Sequence, residues 1–236
     1  MLSIFKKEIY TFFISPIAYI VVGVFLLLNG LFLWVFNGAF NIIDYGFADL
    51  SSFFLLAPWV LIFLIPAVTM RSFSEEKKQG TLELLLTKPI PLFHVILGKY
   101  FGAFFLVFLS LVPTLLYVFA IYRLGNPIGN IDFGSTLGSY FGLLFLAASY
   151  TAIGIFSSSL SSNQIIVFII AVLICLFLYV GVERISFFFS NTLLEQMSLQ
   201  THYKSMSRGV IDTRDLLYFL SVTLFFWVLT RFSLSK

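Results

Sequence analysis

The stretch RSFSEEKKQGTLELLLTKPIPLFHVILGK, residues Arg71 to Lys99, is the part of the chain where charged side chains are dense. It lies between two long apolar blocks, Phe53–Met70 and Tyr100–Tyr122. Its charged residues are Arg71, Glu75, Glu76, Lys77, Lys78, Glu83, Lys88 and Lys99. The pattern predicts that the apolar remainder of the chain holds this segment at one face of a membrane.

Within this segment the sequence predicts a short amphipathic helix over Glu75–Thr87. Ser74 suits a helix start, because a hydroxyl can cap free N–H groups and the acidic residues that follow favour the positive end of the helix dipole. Leucines at 82, 85 and 86 share one face of such a helix. Because proline disfavours helix in the residue before it, Lys88–Pro91 should end the helix. A second amphipathic piece then leads into the next apolar block.

Such a segment is either an ordinary solvated loop or a docking element for a soluble partner. A tight connection does not need an amphipathic element of this length. The pattern therefore favours docking, and the loop remains the alternative.

Composition indicates an all-α integral membrane protein. Hydrophobic residues make up 60% of the 236 positions and charged residues only 11%, whereas soluble domains carry about 25% charged residues. The single cysteine, Cys175, lies in an apolar run, so an intrachain disulfide is impossible. No cleavage-site pattern follows the first apolar block, so we expect uncleaved insertion.

Apolar runs predict one domain, residues 1–236, with six transmembrane helices. An amphipathic N-terminal helix, residues 1–15 and ending before Pro16, should lie along the membrane surface. The cytoplasmic segment 71–99 and a polar segment 183–214 on the opposite face should connect spans. The predicted spans are Ile17–Phe36, Phe53–Met70, Tyr100–Tyr122, Thr136–Ser158, Gln164–Val182 and Asp215–Phe232.

Basic residues predict the orientation. Six spans put both termini on one side, and cytoplasmic loops carry an excess of Lys and Arg. With both termini cytoplasmic, the cytoplasmic face would hold Lys6, Lys7, Arg71, Lys77, Lys78, Lys88, Lys99, Arg231 and Lys236. The opposite face would hold Arg123, Arg184, Lys204, Arg208 and Arg214. The excess places the segment 71–99 in the cytoplasm.

The predicted spans contain little reactive chemistry. They have no Asp, Glu, Lys or Arg in their interiors, which disfavours a transporter with its own proton relay. Asn29 is the main strongly polar residue inside a span, and a hydrogen bond to another helix is its expected role. Glycines at 134, 138 and 142 form a small-residue ridge for close helix packing, within the subunit or across a dimer.

Several functions are excluded. The sequence has no Gly-x-x-x-x-Gly-Lys-Ser/Thr phosphate loop, so this chain does not hydrolyse ATP by that route. His94 and His202 have no second ligand at metal-binding spacing, so no metal site is predicted. We therefore expect no catalytic residue, no bound cofactor and no metal, and no nucleic acid among the partners.

The sequence resembles ABC-2 type transporter permeases. The likeness rests on SEEKKQGTLELLLTKP, residues 74–89, on Lys-Lys-Glu-Ile and Ser15-Pro16 near the N-terminus, and on His202 with Arg208–Leu216 before the last span. Within that family, the chain more closely resembles the permease subunits of gliding-motility ABC transporters, and residues 47–51 and 57–59 contribute to this likeness. Nitrous-oxide-reductase maturation permeases share much of the pattern, and this subfamily is kept as the alternative.

The resemblance implies a six-helix permease with an N-terminal elbow helix, in a bacterial inner membrane. It implies a separate ATPase subunit that binds ATP and Mg²⁺, and a second permease copy or homologue. Membrane lipids and an accessory gliding protein are further expected partners. The ATPase-coupling residues would be Glu75, Glu76, Gly80, Thr81 and Glu83. An outer-segment motif would comprise His202, Arg208, Gly209, Asp212, Arg214 and Asp215, with part of 183–214 forming short helices at the outer interface.

Within the coupling helix, Glu75 or Glu76 is expected to meet a basic group of the ATPase, while the leucines hold the helix against the membrane domain. Gly80 would permit close approach of another backbone. A non-transporting membrane scaffold that recruits a soluble partner is the alternative from another class. The transported substrate cannot be predicted from these residues, because no charged cavity residue or aromatic cage identifies one.

Overall fold

A computed structural model describes residues 1–86, 91–189, 192–210 and 212–235, which form helices and no strand. The all-α prediction is therefore confirmed. The helices are α1 Leu2–Ile14, α2 Ile17–Gly30, α3 Ile42–Tyr45, α4 Ser51–Thr69, α5 Arg71–Lys78, α6 Thr81–Leu86, α7 Leu92–Leu111, α8 Leu115–Leu124, α9 Phe133–Leu160, α10 Gln164–Leu176, α11 Val182–Phe189, α12 Thr192–Glu195, α13 Leu199–Met206 and α14 Thr213–Leu234.

Six helical stretches of the described chain are long and apolar enough to cross a membrane. A π-helical turn over Leu31–Val35 extends α2, and another over Phe177–Gly181 joins α10 to α11. A 3₁₀ turn over Val112–Thr114 joins α7 to α8. The six stretches are Ala18–Val35, Ser51–Lys78, Leu92–Leu124, Phe133–Leu160, Gln164–Phe189 and Thr213–Leu234. The predicted number of six spans is thereby confirmed.

Three helical stretches extend well beyond the predicted spans. The second continues to Lys78 rather than Met70. The third span begins at Leu92 rather than Tyr100, so the helix includes Lys99. The fifth continues to Phe189 rather than Val182, so the first residues of the segment 183–214 are helical. At about 1.5 Å per residue, these longer helices exceed the roughly 30 Å apolar core of a bilayer. Charged residues near a helix end therefore do not require the helix to stop.

Helix α9 is the centre of the bundle and contacts α4, α5, α7, α10, α13 and α14. Its small residues permit this. A Cβ placed on Gly154 would lie 2.0 Å from Thr69 Oγ1 of α4, and one on Gly138 would lie 2.4 Å from the Met206 carbonyl oxygen that ends α13. The glycine ridge at 134, 138 and 142 therefore packs against the segment 183–214 of the same subunit.

Asn29 departs from its prediction. Its side chain is fully buried, but Nδ2 donates to the Phe25 carbonyl of its own helix at 2.8 Å. Its Oδ1 has no hydrogen-bond partner among the described residues. The expected bond to another helix is therefore wrong, because the amide instead meets the carbonyl four residues earlier, which is within reach on the same helix face.

The bundle has two ends, which we call the N-terminal face and the opposite face. The N-terminal face carries α1, α5 and α6, together with the end of α14, because Ser233 donates to the Ser159 carbonyl at 3.1 Å and Lys77 of α5 donates to the same oxygen. The opposite face carries α12 and α13. Which face is cytoplasmic stays a prediction, as does the surface position of α1.

Candidate functional site

The predicted coupling segment forms two short helices rather than one. Helix α5 ends at Lys78, and Gly80 adopts a left-handed conformation with φ of 67° before α6 begins. The single helix predicted over Glu75–Thr87 is therefore wrong. Glycine takes this conformation without the steric cost that a Cβ imposes, so the chain turns here. Thr87 and residues 88–90 of the predicted break at Lys88–Pro91 lie outside the described residues, and Pro91 directly precedes α7.

Ser74 is not a helix cap. Helix α5 begins at Arg71, almost continuous with α4, and places Ser74 in its second half-turn, where the hydroxyl donates to the Met70 carbonyl. The correction has a physical reason: Met70 has helical backbone angles, so no free N–H groups remain near Ser74 to be capped.

A buried lysine, Lys99 of α7, organises the N-terminal face. Its Nζ lies 2.9 Å from Glu8 Oε1 of α1, 2.9 Å from Glu76 Oε1 of α5 and 2.7 Å from the Ser72 carbonyl oxygen. Its side chain is 3% exposed. A buried ammonium is tolerated only when its hydrogen-bond donors are satisfied, and here three oxygens surround it. We call Lys99, Glu8, Glu76 and the Ser72 carbonyl the Lys99 cluster.

The Lys99 cluster changes the prediction for Glu76. Either Glu75 or Glu76 is predicted to meet a basic group of the ATPase. Glu76 pairs with Lys99 of its own chain, and more distantly with exposed Lys7 at 3.8 Å, which leaves Glu75 as the candidate. The pairing with Lys99 was not predicted, because Lys99 was placed in the segment before the third span and not in its helix. One signal could have found it: glycines at 98 and 102 flank Lys99 at helical spacing, and they mark a helix approached closely by another chain segment.

Helix α1 lies against α7 at those glycines. A Cβ on Gly98 would come within 2.8 Å of the Ile4 side chain, and one on Gly102 within 2.7 Å of Glu8 Cβ. Ile4 and Glu8 are one helical turn apart on α1, so the two helices meet along one row of residues. This close approach brings Glu8 to Lys99.

Helix α5 is also bound to the end of α9. Lys77 Nζ donates to the Ser159 carbonyl in the last turn of α9, and Ser233 of α14 donates to the same oxygen at 3.1 Å. The last carbonyls of a helix have no partner within that helix and carry partial negative charge, so a lysine there is favourable. Adjacent residues of α5, Glu76 and Lys77, thus connect it to α7 and to α9.

The turn between α5 and α6 is the exposed part of the segment. The backbone bend at Gly80 presents the exposed residues Lys78, Gln79, Gly80, Thr81 and Glu83. Glu75 is half-buried beside Gln79. Leu82 packs against the core as predicted, whereas the side chains of Leu85 and Leu86 lie outside the described residues. Of the predicted coupling residues, Gly80, Thr81 and Glu83 are together and exposed, and Glu76 is not.

The outer-segment motif is brought together in part. His202 of α13 and Asp215 of α14 form a contact of 2.6 Å between Nδ1 and Oδ1, and His202 Nε2 lies 2.7 Å from the Gln196 carbonyl oxygen. The carboxylate and the carbonyl oxygen are both acceptors, so either can bind an N–H of the imidazole ring. The His202 ring also stacks on Tyr218 at 3.9 Å. The pair joins α13 to the start of the last span.

The remaining motif residues have structural positions. Asp212 accepts from the Arg214 backbone N–H at 3.0 Å and caps α14, which confirms the predicted cap. Gly209 has φ of 86° and lies against Gly134 and Gly138 of α9. Arg208 and Arg214 are exposed. The predicted short helices of the segment are present as α12 and α13, although their position relative to a membrane is untested.

Tyr203 explains why α13 stays on the bundle. Its hydroxyl donates to the Phe54 carbonyl of α4 at 2.8 Å, and burial raises the pKa of Tyr203 well above its ordinary value. The phenol therefore stays protonated and able to donate. Sequence reasoning missed this contact, because the two residues are far apart in the chain.

Comparison with known protein families gives one match that spans nearly the whole chain. The model of the ABC-2 family transporter protein matches residues 2–229. A comparison with curated proteins finds no match. The six membrane-spanning helices agree with the family match, which describes a transmembrane component and not the ATPase itself. This chain belongs to the ABC-2 transporter family, as a multi-pass membrane permease of an ABC transporter.

Proposed function

We propose that the α5–α6 segment docks on a separate ATPase subunit and passes its nucleotide-driven movement into the membrane helices. The observation that supports this most strongly is the construction of α5. One end is continuous with span α4, its side chains bind α7 and α9, and its other end leads to an exposed turn. ATP and Mg²⁺ would be bound by the partner subunit.

The exposed turn suits a protein partner. Lys78 and Glu83 offer opposite charges on the two sides of Gly80, and Gly80 has nothing within 4 Å of the position of a Cβ. Another backbone could therefore approach closely. Beside it, Lys78 and the turn over Ser162–Gln164 line a shallow groove. The proposed contact surface is thus the α5–α6 turn with the α9–α10 turn.

Charge reversal at the exposed turn tests this proposal. Glu83→Lys should lower the amount of ATPase subunit that co-purifies with the permease roughly tenfold or more, because a like charge at an interface costs several kcal/mol. Glu195→Lys, an exposed reversal on a short helix of the opposite face, is the matched control and should retain the ATPase. Equal retention in both variants would contradict docking at this turn.

We further propose that two permease copies form the transporter in a bacterial inner membrane, and that it serves gliding motility with an accessory protein. Support comes from the resemblance of residues 47–51 and 57–59 to gliding-motility permeases. Deletion of this chain should abolish movement on a surface without slowing growth. Normal gliding together with loss of a copper or nitrous-oxide-reductase activity would instead support the maturation subfamily.

A further inference from the structure

The N-terminal helix α1 is connected to α5 by a buried ion cluster, although the two lie far apart in sequence. Lys99 stands between them, with Glu8 of α1 and Glu76 of α5 both at 2.9 Å from the same Nζ. The two carboxylates are 12% and 16% exposed. Because a partly desolvated ion pair is held more strongly than a surface pair, a displacement of Glu76 acts on Glu8 through Lys99.

Helix packing strengthens this connection. Ile4 and Glu8 lie against Gly98 and Gly102 with no room for a Cβ at either glycine. The Ser72 carbonyl bonds the same lysine at 2.7 Å, and Phe73 places its ring 5.1 Å from Nζ. Lys99 is thus held by three residues of α5, Ser72, Phe73 and Glu76, while α1 is held beside it by a close-packed row.

We infer that Lys99 is a positioning residue that makes α1 move with α5, so that the ATPase acts on the N-terminal helix as well as on spans α4 and α7. This inference rests on the proposed docking of α5–α6. It assigns to Glu8 a role in transmission, whereas the exposed pair of Lys7 with Glu76 at 3.8 Å contributes little, since Lys7 is 63% exposed.

Hydrogen exchange of the permease–ATPase complex in nanodiscs tests the inference, with the complex free of nucleotide and with ATP plus vanadate. In the wild type, we expect nucleotide to change amide exchange in both α1 and α5. In Glu8→Met the change in α5 should persist and the change in α1 should be lost. Glu8→Gln, which keeps a weaker neutral hydrogen bond, should give an intermediate change in α1. Lys99→Arg, which keeps the positive charge, should retain the full change in α1.

Controls separate transmission from simple loosening. A purely structural role for Glu8 would raise exchange in α1 by the same factor in both nucleotide states, whereas loss of transmission removes the difference between states. Lys7→Met is the matched control and should behave as the wild type. An α1 response in Glu8→Met equal to that of the wild type would overturn the inference. A wild type in which nucleotide changes amide exchange in α5 but not in α1 would overturn it too. A silent α5 in the wild type would overturn the docking proposal, and this inference with it.

Discussion

Lys99 shows how one side chain unites elements that the sequence keeps apart. Its ammonium donates hydrogen bonds to one oxygen of α1 and to two oxygens of α5, while its backbone belongs to α7. Removing one partner of a buried ion pair leaves the other charges uncompensated, and this cost exceeds the net worth of the intact pair. Replacing this one lysine should therefore affect three helices, α1, α5 and α7.

Lys99→Met should therefore destabilise the protein by about 3 kcal/mol, at the low end for buried pairs because Glu8 and Glu76 retain some exposure. The apparent melting temperature in detergent, followed by tryptophan fluorescence, should fall by about 5 °C or more. Lys78→Met is the control: its side chain is exposed, so its effect should stay within about 0.5 kcal/mol. Equal melting temperatures for the two variants would contradict the role of the cluster.

At the scale of elements, the glycines differ in how closely other parts of the chain approach them. Gly138 of α9 faces the Met206 carbonyl and the Gly209 backbone, so the distance between α9 and the end of α13 depends on the missing side chain. Gly23 of α2 faces open space. The two positions thus provide a test and its control within one bundle.

Gly138→Ala should displace the end of α13 and lower the melting temperature, because backbone atoms cannot move aside as a flexible side chain can. Overpacking typically costs about 1–3 kcal/mol. Gly23→Ala should be neutral or slightly stabilising, since alanine favours helix more than glycine does. A Gly138→Ala variant as stable as Gly23→Ala would contradict the close packing of the end of α13 against α9.

The sequence was informative about spans and less so about their ends and side-chain partners. Apolar runs located the six spans, because burial in lipid requires them. The turn at Gly80 was missed, since propensity on both sides favours one helix and only the glycine conformation divides it. The glycines at 98 and 102 indicate a close approach of helices, but they do not identify Glu8 and Glu76 as the partners of Lys99, because those residues lie far away in the chain. His202 and Asp215 belong to one motif, but their contact depends on how α13 packs against α14. The Asp212 cap was predictable because capping is local.

For the whole molecule, the two faces should lie on opposite sides of the membrane. In a Cys175→Ser background, Asn130→Cys on the opposite face should react with an impermeant maleimide added outside the inner membrane, because Asn130 is exposed. Gln79→Cys should react only after the membrane is permeabilised. Labelling of Gln79→Cys from outside would reverse the orientation predicted from the basic residues.

The central claim is that the turn between α5 and α6 contacts the ATPase subunit, and photo-cross-linking in intact cells tests it most directly. A benzophenone amino acid at Gln79 should give a covalent product with the ATPase, since this residue lies in the exposed turn. The same group at Asn130 on the opposite face should give none. Cross-linking of the ATPase from Asn130, or its absence at Gln79 while the complex still co-purifies, would contradict the account.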